Sequence, residues 1–188
     1  MNGLVLQPSA AAQWHALVGE AARRCRRTLD EDLESYLVFL LMRFAGEAGL
    51  TARVMALDYL RALDTHGSQR GARLRDVGDR CLLFCGLFPG LGARRRVSPG
   101  YFVGLGRSAY REAAAARARS QRRLFERLSA AFVVLTDVLQ ATRAAAPDED
   151  LLGAAERWWE TGSRRAFERL AAATGALPAP PGPADRTH

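Results

Sequence analysis

The sequence predicts an all-α protein, a single-domain helical bundle of about six to seven helices with a close, glycine-mediated helix crossing. Three observations predict it. Apolar residues recur at three- and four-residue spacings almost throughout, whereas strand-like alternation never persists. Capping residues and glycine stops punctuate this pattern at helix-length intervals. In DVGDRCLLFCGLFPG, residues 76–90, small residues recur among large apolar ones at a spacing that stacks them along one helix face.

A first helix is expected over Ser9–Arg27, with Trp14, Leu17, Val18, Ala21 and Cys25 on one face. Thr28 and Glu31 have capping-box spacing, so Thr28 is expected to cap the second helix. Leu33, Tyr36, Leu37, Leu40, Leu41 and Phe44 form its apolar face, and Gly46 and Gly49 supply its stop. Residues 51–67 give a third helix with Val54, Leu57, Leu60 and Leu63 inward. The fourth runs over about 69–88, followed by a loop at 89–96. Ser98 and Pro99 read as an N-cap and a first helical position, where proline's missing N–H costs nothing. That fifth helix runs to about Ala116. A long sixth begins near Ser120, with Leu124, Leu128, Phe132, Leu135, Val138 and Leu139 inward. Asp148, Glu149 and Asp150 open the last helix at the positive end of its dipole. It carries Leu151, Leu152, Ala155, Trp158, Trp159, Phe167 and Leu170, with a break expected at Gly162 and a stop at Gly175. Residues 1–176 read as one helical domain and 177–188 as a proline-rich disordered tail.

The quoted stretch raises a choice between a metal or redox site and a packing seam. Cys81 and Cys85 lie one turn apart, and two thiolates need further ligands from elsewhere to hold zinc. Their Cβ atoms on an intact helix would lie about 5–6 Å apart, too far for a disulfide, which needs about 3.8 Å. The seam is the better reading. Gly71, Gly78 and Cys85 recur every seven residues, and Gly100, Gly104 and Ser108 form a row on the next helix. Two such rows would let the helices approach closely, and leucine at Gly78 or Gly104 is expected to overpack the crossing. Asp79 sits near the apolar end of its helix. It is read as a buried polar partner of Arg107, or of the Tyr101 or Tyr110 hydroxyl, fixing register rather than doing chemistry.

The same region carries a resemblance. Gly78, Asp79, Leu83, Phe84, Gly86, Phe88 and Pro89, followed by Tyr101, Phe102, Gly106, Ala109 and Tyr110, resemble a pattern found in uncharacterised bacterial all-helical proteins. The likeness covers about a sixth of the chain. It implies a fold relationship and no particular activity.

Composition bounds the function. The 188 residues are 48% hydrophobic and 25% charged, enough for one domain with a sizeable core. The net charge is +7, and all 27 basic residues are arginine. A GC-rich bacterial genome accounts for arginine in place of lysine, but not for the excess of cations. That excess raises nucleic acid, anionic lipid or an acidic protein as partner. Arg23, Arg24, Arg26 and Arg27, then Arg117, Arg119, Arg122, Arg123 and Arg127, form rows that would contact phosphates with strong salt dependence. No nucleic-acid-binding motif accompanies them. Arg94, Arg95 and Arg96, ahead of the helix start at Ser98, are a candidate anion site. Three cysteines form no even framework and the N-terminus has no secretory pattern, so reduced thiols and a cytoplasmic location are expected. The apolar run 36–44 is too short for a membrane span, which needs about 20 residues.

Catalytic chemistry finds little foothold. His15, His66 and His188 are isolated in sequence, and no Glu-x-x-His or Walker loop occurs. The glycine-bearing segments follow no strand, so a dinucleotide site is unsupported. The reading names no catalytic residue, metal ligand or cofactor. Trp158 and Trp159 are adjacent, so both cannot enter one core, and one is expected to face a neighbouring element or a partner. The chain is therefore read as a non-enzymatic interaction protein, binding another protein or a second copy of itself. The alternatives are a phosphate-binding nucleic-acid protein and a carrier of a small ligand within the bundle.

Overall fold

A computed structural model describes residues 9–45, 55–88, 98–143 and 151–175. Among them are nine helices and no strand: α1 (Ala10–Arg24), α2 (Glu31–Ala45), α3 (Met55–Leu63), α4 (Ser68–Leu87), α5 (Pro99–Ala115), α6 (Arg119–Ala130), α7 (Phe132–Thr142), α8 (Leu151–Thr161) and α9 (Arg164–Thr174). The all-α expectation holds. The count exceeds six to seven because two expected helices are each divided. Arg94, Arg95 and Arg96, the acids 148–150 and the tail 177–188 lie outside the described residues, as do Gly46, Gly49 and Val54.

The helix ends have local causes. α1 stops three residues earlier than expected. Arg27 N–H reaches the Ala22 carbonyl and Arg26 N–H reaches that of Arg23, both at 2.9 Å, with Arg26 left-handed at φ 51°. This is a Schellman stop, built on arginine where glycine is usual. Thr28 does not cap α2; the Asp30 carboxylate accepts from Leu33 N–H at 3.0 Å instead. Ser98 caps α5 as expected, its hydroxyl accepting from Tyr101 N–H, with Pro99 in the first turn. The long sixth helix kinks at Ala131, where Leu135 N–H still bonds the Ala131 carbonyl at 2.9 Å. The kink turns Phe132, Leu135, Val138 and Leu139 all into the core. Gly162, at φ 69°, lets the chain turn sharply between α8 and α9, and Gly175, at φ 65°, ends α9.

The centre of the bundle is the pair α4 and α5. Gly71 faces Ala116, Gly78 faces Tyr110, Cys81 faces Gly106 and Phe84 stacks on Phe102. Partner numbers fall as α4 numbers rise, so the helices are antiparallel. α3 and α7 pack on α4; α6 and α8 pack on α5; α1 bridges α2 and α7; α9 folds back on α8. Two expected apolar faces are placed differently. In α3, Leu57 and Leu60 are more than half exposed while Met55 and Ala62 are buried. In α8, Leu151 and Leu152 are exposed while Ala154 and Arg157 are buried.

Candidate functional site

The packing is tight where a glycine of α4 or α5 receives a side chain from a neighbouring helix. A Cβ on Gly78 would lie 2.6 Å from the Tyr110 ring, and one on Gly86 would lie 2.5 Å from Leu139 Cβ. A Cβ on Gly106 would overlap the Phe132 ring and lie 2.9 Å from Cys81 Cβ. Gly71 and Gly78 therefore belong to the seam as expected. The expected row on α5 does not. Gly104 is exposed with nothing within 4 Å of its would-be Cβ, Ser108 is half-buried and bonds Arg111, and Gly100 packs against Glu160 of α8. Phe102 and Gly106 take that role, meeting Phe84 and Cys81 of α4, and Ala109 and Ala113 are buried further along α5. Cys85 is half-buried and lines a small cavity together with Phe102 and Val103 of α5, Gln140 of α7 and Arg157 of α8, with its thiol pushed up to about 12 by burial.

Asp79 sits beside this seam and is 2% exposed. The pairing with Arg107 is wrong. Arg107 is exposed, and its carbonyl accepts from the Ser129 hydroxyl. Tyr101 is 48% exposed and elsewhere. The partners are Tyr36 Oη, which donates to Asp79 Oδ1 at 2.6 Å, Tyr110 Oη, which donates to the same oxygen at 2.8 Å, and Arg43 Nη2, which donates to Oδ2 at 2.7 Å. Arg75 Nε stands 3.8 Å from Oδ2. Burial raises the Asp79 carboxyl above the ordinary carboxylate value, and the two hydroxyls and Arg43 offset only part of that rise. Burial and the neighbouring carboxylate push both tyrosines up, so both stay protonated as donors. Phe125 and Phe132 pack around the tyrosine rings at 5.9–6.1 Å, and the Arg117 guanidinium lies 4.0 Å over Phe125. This node ties α2, α4 and α5 together. Tyr36 and Arg43 carried a signal: they are polar groups seven residues apart, hence on one face, within an apolar run.

A second buried node joins α7 to the α8–α9 corner. Ser163 Oγ donates to Asp137 Oδ1 at 2.5 Å and also accepts from Ala166 N–H, capping α9. Cys25 Sγ donates to the Asp137 carbonyl at 3.4 Å. Burial raises the Asp137 carboxyl, opposed first by the Ser163 bond. Ser163→Ala removes a cap and strips a buried carboxylate of its shortest bond. It is expected to cost about 2 kcal/mol, read as a lower urea midpoint at unchanged slope.

The cysteines have different neighbours. Cys25 faces Asp137, Cys81 Sγ lies 3.7 Å from Met55 Sδ, and burial raises all three thiols. Among the described residues no group of three or more His, Cys, Asp or Glu side chains could hold a metal ion. His15 pairs with Glu34 at 3.2 Å. At Ser98, the first turn of α5 already has an anion from its own chain: Glu160 Oε2 accepts from Gly100 N–H at 2.7 Å.

The arginine rows are broken by internal use. Arg23 bonds Glu20, Arg24 donates to the Ala141 carbonyl, and Arg122 bonds Glu126. Arg117 donates to the carbonyls of Gly71 and Ala113. Arg127 pairs with Asp30 and with Asp32. Phe84, Cys85, Phe88, Phe102, Val103 and Arg157 line part of a cavity of about 30 Å³, room for only one or two waters. α8 divides its tryptophans. Trp158 packs on Phe167 with ring centroids 4.9 Å apart, while Trp159 is 58% exposed. Leu152, seven residues before it on the same face, is 67% exposed.

No protein-family model matches the chain, and neither curated proteins nor solved structures show a match. No helix among the described residues is long and apolar enough to cross a membrane.

Proposed function

We propose that this chain is a cytoplasmic, non-enzymatic helical docking protein that binds another protein through the outer face of α8. One observation carries the reading. Trp158 turns into the fold, while Trp159 and Leu152 stand on one exposed stripe beside the rim residue Glu160. Tryptophan and an aliphatic neighbour ringed by polar groups form the pattern of an interface anchor. A non-catalytic role fits the buried nodes, because Asp79 and Asp137 are spent on tying helices together. Kinship with the bacterial helical proteins of similar pattern belongs to the same proposal. Of the matching residues, Gly78, Asp79, Gly106 and Tyr110 are packing positions of the α4–α5 pair, and Gly86 packs α4 against Leu139 of α7.

Trp159→Ser is expected to leave the melting temperature within about 2 °C, since the side chain is exposed. It should weaken partner binding at least about thirty-fold, the size of a hot-spot truncation. A photo-crosslinking residue placed at 159 identifies the partner, and native mass spectrometry tells whether it is a second copy. Adducts that form from 159 and vanish with Leu152→Ser support the reading. Adducts that arise equally from exposed Phe39, or none at all from 159, overturn it.

A further inference from the structure

We propose that the cleft between α3 and α4 binds a phosphate monoester or inorganic phosphate, with Arg73 as its principal cation and Arg61 and Arg80 closing on either side. The site is distinct from the α8 face. Its open volume is about 320 Å³, and its lining is Asp58, Arg61, Arg73, Asp76, Val77 and Arg80. Arg73, Asp76, Val77 and Arg80 follow one another at helical spacing along one face of α4, with Val77 buried as the floor. Asp58 and Arg61 approach from α3.

The charges in this cleft are not balanced. Asp58 is held by Arg80 at 3.0 Å and, more loosely, by Arg61 at 3.9 Å. Asp76 is held by Arg75 at 2.8 Å and Arg43 at 3.7 Å, the same two arginines that reach Asp79 behind it. Both wall carboxylates therefore have guanidinium partners. Arg73 does not: it donates to the Thr65 hydroxyl at 3.0 Å, and among the described residues no carboxylate pairs with it. Arg61 is tied by a single long contact. Two guanidiniums with donors to spare thus face a pocket of small-molecule size. A guanidinium fork matches a phosphate's oxygens in geometry and charge. Asp58 and Asp76 on the walls limit the positive potential to the middle of the cleft. A compact dianion fits that field better than a long polyanion, which needs an unbroken basic face.

The test is calorimetric titration of the full chain with inorganic phosphate and with glycerol phosphate, in chloride buffer of matched ionic strength. Arg73→Gln changes an exposed side chain, and Arg119→Gln serves as the exposed control on α6. Saturable binding that weakens at least about ten-fold in Arg73→Gln, and stays within two-fold in Arg119→Gln, is expected; ten-fold is the loss of one charge-assisted hydrogen bond. Glycerol phosphate binding more tightly than phosphate marks an ester as the ligand, and the reverse marks the free anion. Equal weakening in both variants reports diffuse charge and overturns the site. So does the absence of saturable binding, or a single-stranded oligonucleotide that outcompetes phosphate as well in Arg73→Gln as in the unmodified chain.

Discussion

Gly106→Val is expected to lower the melting temperature by about 6–12 °C, a cost of about 3 kcal/mol in a chain of this size. The Cβ alone would enter the Phe132 ring and come within 2.9 Å of Cys81 Cβ. Neither neighbour has anywhere to go, since both are 0% exposed. Gly104→Ala, two residues away, is expected to do the opposite. Its Cβ meets nothing within 4 Å, so the variant gains helix propensity of about 0.5–1 kcal/mol. Thermal melts of the two variants side by side measure which row of α5 faces α4. Equal shifts would mean that the crossing is looser than these distances require.

Asp79→Ala is expected to cost about 3–5 kcal/mol, the penalty for taking one member out of a buried charged network. It would leave the Tyr36 and Tyr110 hydroxyls without their acceptor and Arg43 without its shortest partner. Asp79→Asn keeps one acceptor oxygen for the two hydroxyls but loses the charge and turns an NH2 towards Arg43, so it should cost less than Asp79→Ala and also change the dependence on pH. Burial raises the folded-state value of the Asp79 carboxyl above the ordinary 3.8. A raised value means that the folded form holds its proton more tightly than the unfolded chain. The resulting stabilisation is full below about the ordinary carboxylate value and is lost as pH rises through the folded one. Arg43, Arg75, Asp76, Tyr36 and Tyr110 are the titratable groups around it, and none of the arginines changes charge in that range. Denaturation midpoints of the parent and Asp79→Asn between pH 4 and 7 should therefore diverge most at the acid end. A gap that widens as pH rises would reverse the assignment.

Helix existence was legible from periodicity, and so was the α4–α5 seam from its glycines. The failures have physical causes. Gly104 and Gly106 are equally small, and only the rotation of α5 about its axis decides which meets α4. The sequence row at four-residue spacing favoured Gly104, whereas Phe102, Gly106, Ala109 and Ala113 combine three- and four-residue steps. Arg26 hid the end of α1 because an arginine occupies a backbone conformation that glycine usually announces. At the Asp79 node the buried acid was readable, but its arginine lay 36 residues upstream in another helix. Proximity of that kind is created by tertiary packing alone. Leu57 and Leu60 were placed inward because a short helix offers too few residues to separate two apolar faces.

The contacts of α1 also set a timetable for synthesis. Arg24 and Cys25 bond to carbonyls 117 and 112 residues further along the chain. At a translation rate of about 5–20 residues per second, α1 has left the ribosome roughly 6–25 s before α7 exists to receive it. During that interval α2 is its available neighbour, and the Arg24 and Cys25 side chains that later bond to α7 stay open to solvent. The nascent chain is most vulnerable to aggregation in this window, and a chaperone that shields apolar helix faces would act on α1 until Thr142 emerges.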